Sequence, residues 1–145
     1  MSKAIETDTP QKPTWHIESI PCPRLGELIN RWNLDAPIHG GAIAAGTLVN
    51  VLGWALASPD RQSRLHFIQR LHNRTLSYPM NHERADVVEK VLGAKPEDSP
   101  QLQCGFTYPV TTEDAVGGFE IGFEIDGYIY GCQSFGALVS LFYSS

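Results

Sequence analysis

Lysine and arginine are missing altogether from residues 96 to 145, although acidic residues are frequent there. Charge of either sign is missing from residues 36 to 59, where no Asp, Glu, Lys or Arg occurs. Cysteine is scarce. Cys22, Cys104 and Cys132 cannot all pair within one molecule, which excludes a fully paired disulfide scaffold. No signal-peptide pattern opens the chain, and a reducing, cytoplasmic setting is expected on that ground. Metal-binding spacing is lacking too: there is no Cys-x-x-Cys, and no two of His16, His39, His66, His72 and His82 stand four apart. The sequence therefore implies no metal, no cofactor and no catalytic residue.

The uncharged stretch is long enough to raise the question of a membrane span. Pro37, His39, Gly40, Gly41, Asn50 and Pro59 trim its apolar part to residues 42 to 57. As a helix that part would measure about 24 Å, short of the ~30 Å hydrocarbon layer. The expectation is a buried central helix and no membrane contact, because the apolar residues fall on every side.

The residues that are present fit one modest core: 145 residues, 42% hydrophobic and 19% charged. Residues 1 to 14 are polar and proline-bearing and read as a disordered or extended arm, leaving 15 to 145 as a single α+β domain. Leu25, Leu28, Ile29 and Trp32 have the spacing of a short amphipathic helix after Pro23. Leu65, Ile68, Leu71, His72 and Leu76 continue at helical spacing after a Ser58-Pro59-Asp60 start signal. Asn81 reads as the cap of a further helix carrying Ala85, Val88, Val91 and Leu92 and closed by Gly93.

Near Pro100 the period changes. Leu102 to Val110 and Phe119 to Ile125 alternate apolar and polar residues, as half-buried strands do. Asp126 and Gly127 supply a two-residue hairpin turn, which places Tyr128 opposite Ile125, Tyr130 opposite Phe123 and Cys132 opposite Ile121. Residues 134 to 143 are apolar enough for a last helix or strand, and helix is the reading preferred. The expected fold class is thus α+β: a mainly helical N-terminal two thirds with a buried central helix, packed on a C-terminal antiparallel sheet of three or more strands.

Charge is the most informative feature. Residues 60 to 95 carry a net +3, and residues 96 to 145 carry −7 within a total of −5. Alternation puts Glu120, Glu124 and Asp126 on one strand face, with Glu113 and Asp114 just upstream. Such a row attracts cations, so the primary expectation is a small acidic binding protein that neutralises a basic protein partner, of the immunity or inhibitor type. Arg61, Arg64, Arg70 and Arg74 supply the alternative, a phosphate- or nucleotide-binding set on arginine-rich helices. That alternative would admit nucleic acid as a partner, and neither reading decides against a homo-oligomer.

Two enzymatic patterns remain. The run Pro37, Ile38, His39, Gly40, Gly41, Ala42 before an apolar stretch resembles the His-Gly-Gly segment that precedes the central helix of hotdog-fold acyl-CoA thioesterases. The resemblance implies a long antiparallel sheet wrapped around that helix, and thioester hydrolysis involving His39. The carboxylate that many members carry on the helix has no counterpart, since only Thr47 and Asn50 are polar there. Cys132, at a strand end before an expected helix at Ser134, has the placement of an activated thiol.

Overall fold

A computed structural model of the chain describes residues 14–19, 29–43 and 48–138. The arm expected over residues 1 to 14 falls outside these except for Thr14, which already begins a strand. Strands dominate the fold, and helices are few and short. Among the described residues the expected helical two thirds and central helix are absent.

The strands are β1 (Thr14–Ser19), β2 (Ile29–Ala36), β3 (Leu48–Ala57), β4 (His66–Arg70), β5 (Thr75–Pro79), β6 (Gly105–Thr111), β7 (Phe119–Ile125) and β8 (Tyr128–Leu138). They form two antiparallel sheets, one ordered β1-β8-β7-β4-β5 and one ordered β2-β3-β6. The inner faces meet in a core that joins Phe67, Phe119, Ile121, Phe123 and Ile125 of the first sheet to Val51, Ala55, Ala57, Phe106 and Val110 of the second. Two sheets packed in this way make a β-sandwich.

A strand stands where residues 42 to 57 suggested a helix, and the reason is physical. β3 is the middle strand of its sheet, and it is covered on both faces. Val51, Ala55 and Ala57 enter the sandwich core, while Leu56 and Trp54 face Val87, Val91 and Leu92 on the other side. A strand buried on both sides loses its alternation and reads like an apolar helix. The helix covering it is α1 (Ala85–Val87), which runs on as a wider turn over Val88–Leu92 and ends at left-handed Gly93. This element was legible, but its start was not, because Asn81 caps nothing. Its carboxamide instead donates to the Thr107 carbonyl and accepts from the Thr107 N–H, extending the edge of β6.

Residues 60 to 76 form a single turn at Gln62–Arg64 and then the β4–β5 hairpin. Phe67, Ile68 and Gln69 are buried in succession, so no two-residue period survives in β4. The helical spacing of Leu65, Ile68, Leu71 and Leu76 is coincidental. Ile29 and Trp32 belong to strand β2, not to an amphipathic helix; residues 23 to 28 lie outside the described residues. β8 continues as strand to Leu138, which overturns the helix expected from Ser134; residues 139 to 143 also lie outside the described residues.

The β7–β8 hairpin matches its sequence signal. Asp126 and Gly127 have φ of 52° and 87°, as a turn with two left-handed central residues requires. Tyr128 pairs with Ile125 and Tyr130 with Phe123. Beyond Gly131, opposite Gly122, the register slips, and Gln133 rather than Cys132 stands opposite Ile121. One extra residue in β8 makes a bulge at Cys132. The strand after Pro100, expected to join this sheet, pairs with β3 in the other.

Candidate functional site

The sheet order decides the fate of the charges. β7 lies between β8 and β4, so the acidic strand runs directly beside the arginine-bearing one. Glu120 is the cross-strand partner of Arg70, and Glu124 is the partner of His66. The Arg70 Nη1 group donates to Glu120 Oε1 at 3.0 Å. Arg64 Nε donates to Asp126 Oδ1 at 2.6 Å, and Arg61 Nε stands 3.5 Å from the second Asp126 oxygen. Arg74 Nη2 reaches Asp114 Oδ2 at 3.4 Å, and Ser77 Oγ donates to Glu124 Oε1 at 2.9 Å. The hydrogen bond from Arg64 holds the Asp126 carboxyl below the usual carboxylate range.

The two site sets expected from the sequence therefore occupy one surface. Each of the four arginines meets a carboxylate of the acidic row, and Glu113 stays exposed on α2 (Thr112–Gly117). Between the rungs lies Ile68, opposite Gly122 and buried although it belongs to the outer face by register. The protein's own arginines thus compensate much of the row, which the sequence left open beside the reading of a row free to attract a cation. Exposed pairs of this kind each add about 0–1 kcal/mol to stability, so their main effect is to order an alternating charge pattern. A phosphate reaching these guanidinium groups would have to displace a carboxylate from each.

A second region was not legible from composition. Ile17, Trp32, Leu34 and Ile38, with Asn33, Pro37 and His39, line a half-open pocket of about 300 Å³ between β1, β2 and the loop after β2. Backbone bonds from Gly40 N–H to the Trp15 carbonyl and from Trp15 N–H to the Gly41 carbonyl tie the loop after β2 to β1. His39 continues this ladder with its ring, Nδ1 accepting the Ile17 N–H at 3.0 Å. The signal that could have found it is the Pro37-to-Ala42 run itself. That run leads to strand β3 rather than to a helix, so the hotdog architecture implied by the resemblance is absent, and with it the helix on which that family's chemistry is built.

Among the described residues no group of three or more His, Cys, Asp or Glu side chains is placed to hold a metal ion. Cys104 is buried, and burial pushes its thiol up to about 11, which keeps it neutral at physiological pH. Cys132 sits at the bulge inside β8, which continues as strand to Leu138, so no helix starts at Ser134. No helix of the described residues is long and apolar enough to cross a membrane.

Arg84 forms the most tightly bonded cluster outside the sheet face. Its Nε and Nη2 donate to the two Asp86 oxygens, both at 2.9 Å, and Nη1 donates to Asp35 Oδ2 at 2.9 Å. The cluster ties the start of α1 to β2. The hydrogen bonds from Arg84 lower the Asp86 carboxyl to about 2. A carboxyl depressed in the folded state contributes stability above its unfolded value of about 3.9, and the contribution is lost as pH falls toward the folded value. Melting temperature should thus fall more steeply between about pH 4 and pH 2 in the wild type than in Asp86→Asn. Parallel acid profiles of the two proteins would contradict this.

The chain matches no protein-family model, no curated protein and no solved structure.

Proposed function

We propose that this chain is a non-catalytic binding module that neutralises a basic protein partner through the outer face of its five-stranded sheet. One observation carries the reading: around that face Asp60, Glu113, Asp114, Glu120, Glu124 and Asp126 outnumber Arg61, Arg64, Arg70 and Arg74. A negative excess therefore survives the internal pairing. It draws a cationic surface from a distance, while the fixed arginines repel a partner docked in the wrong register.

The test separates binding from folding. Glu113 and Glu124 hold no arginine, so Glu113→Lys with Glu124→Lys should leave the melting temperature within a few degrees of the wild type. Immobilised full-length chain should retain from its native host a protein of high isoelectric point at low salt. The double variant should lose it, and raising the salt should weaken the wild-type interaction. Retention of the same protein by both chains, or of acidic proteins alone, would overturn the reading.

A further inference from the structure

The pocket between β1, β2 and the loop after β2 shares no residue with the ion pairs of the charged face, and its chemistry differs in kind. No charged side chain is among the described residues lining it. An ionic ligand would shed water there without a free counter-charge, because the nearby carboxylates of Asp35 and Glu18 are already bonded, the first to Asn33 and Arg84 and the second to His16. The walls are the half-buried Trp32 indole, Ile17, Leu34 and Ile38, the last 64% exposed and one of only two large apolar side chains so exposed among the described residues. Covering Ile38 and the open part of the indole removes apolar surface from water, and a flat ring does so most completely against another ring.

Two polar groups give the pocket direction. His39 Nδ1 accepts the Ile17 N–H, so in the neutral imidazole the proton is on Nε2, which makes that edge of the ring a donor. Asn33 uses its amide nitrogen on Asp35 Oδ1 at 2.7 Å, which leaves its carboxamide oxygen as an acceptor. His16 stands beside His39, with ring centroids 5.3 Å apart, and bonds Glu18 through its own Nε2 at 2.8 Å.

We infer that this pocket is a binding site for an uncharged aromatic carbonyl compound, its ring against Trp32 and its carbonyl oxygen accepting from His39 Nε2–H. The inference is independent of the partner assigned to the charged face.

Benzamide is the probe, titrated into the isotope-labelled full chain at neutral pH and followed by NMR. The expected result is saturable binding at about millimolar affinity, the strength open to a ligand of this size. It should shift the Trp32 indole N–H and the Ile17 amide, whose bond to His39 reports directly on the site. Benzylammonium, a cation with a similar ring but no acceptor, should bind at least about fivefold more weakly, since it loses the hydrogen bond and also sheds water from its charge. His39→Phe should weaken benzamide and leave benzylammonium unchanged, which narrows the preference. If that variant does not fold, the comparison of the two probes on the wild-type chain still decides. Equal binding of both, saturation confined to signals outside the pocket, or no saturable binding would each overturn the inference.

Discussion

Gly53→Ala is expected to destabilise the protein by about 3 kcal/mol or more, a large share of the ~5–15 kcal/mol that holds a typical domain folded. Gly53 lies in β3, opposite Leu34 of β2 and Phe106 of β6. A Cβ atom placed there would stand 2.1 Å from the Asn33 carbonyl oxygen, 2.9 Å from Phe106 Cζ and 3.1 Å from Leu34 Cα. Two of these are backbone atoms, which cannot turn aside as a side chain can. Relief would require β2 to move off β3, opening the smaller sheet. Urea denaturation of purified Gly53→Ala measures the loss. Ala55→Gly, which removes a methyl from the same strand, should cost only about 1 kcal/mol. A Gly53→Ala protein as stable as the wild type would show that β2 does not approach β3 this closely.

The second large effect is expected at Phe67. Its ring is fully buried, stacked on Phe106 at 4.2 Å with an 11° interplanar angle, and it contacts Phe123 and Tyr108 at centroid distances of 6.2 and 6.0 Å. Phe67 and Phe123 belong to the five-stranded sheet, Phe106 and Tyr108 to the three-stranded one, so these rings join the two halves of the sandwich. Truncating Phe67 to alanine removes the stack and leaves a cavity around which the paired strands cannot collapse without losing register. The expected cost is about 3–5 kcal/mol in chemical denaturation, with Phe67→Leu recovering part of it. A loss below about 1 kcal/mol would mean that the sheets are not held together here.

The sequence did not signal the importance of Phe67, and it marked Gly53 only as one of several small residues that let neighbouring elements approach closely. Phe67 falls inside a stretch with helical spacing, and Gly53 inside one with no period at all. By contrast, β7 and its turn were legible residue by residue. Phe119, Ile121, Phe123 and Ile125 face the core while Glu120 and Glu124 face outward, so the alternation is intact. Asp126 and Gly127 then supply the backbone conformations that the turn demands. Local chemistry suffices for such an element because one face is wet and the other dry. Where both faces are covered, as for Leu56 beneath α1 and Val51 in the core, the contrast that marks a strand disappears.

Charge divides in the same way. The sequence alone determined the composition of the two charge blocks, the outward direction of Glu120 and Glu124, and the hairpin that carries them. Only the tertiary structure decided that Arg70 would stand beside Glu120 and Arg64 beside Asp126, because strand order is set by long-range pairing. Separations of 50 and 62 residues along the chain become hydrogen bonds of 3.0 and 2.6 Å across it. Whether a carboxylate is balanced depends on Coulomb interactions that act through space and are screened over about 8–10 Å in physiological salt, so sequence distance carries no information about it.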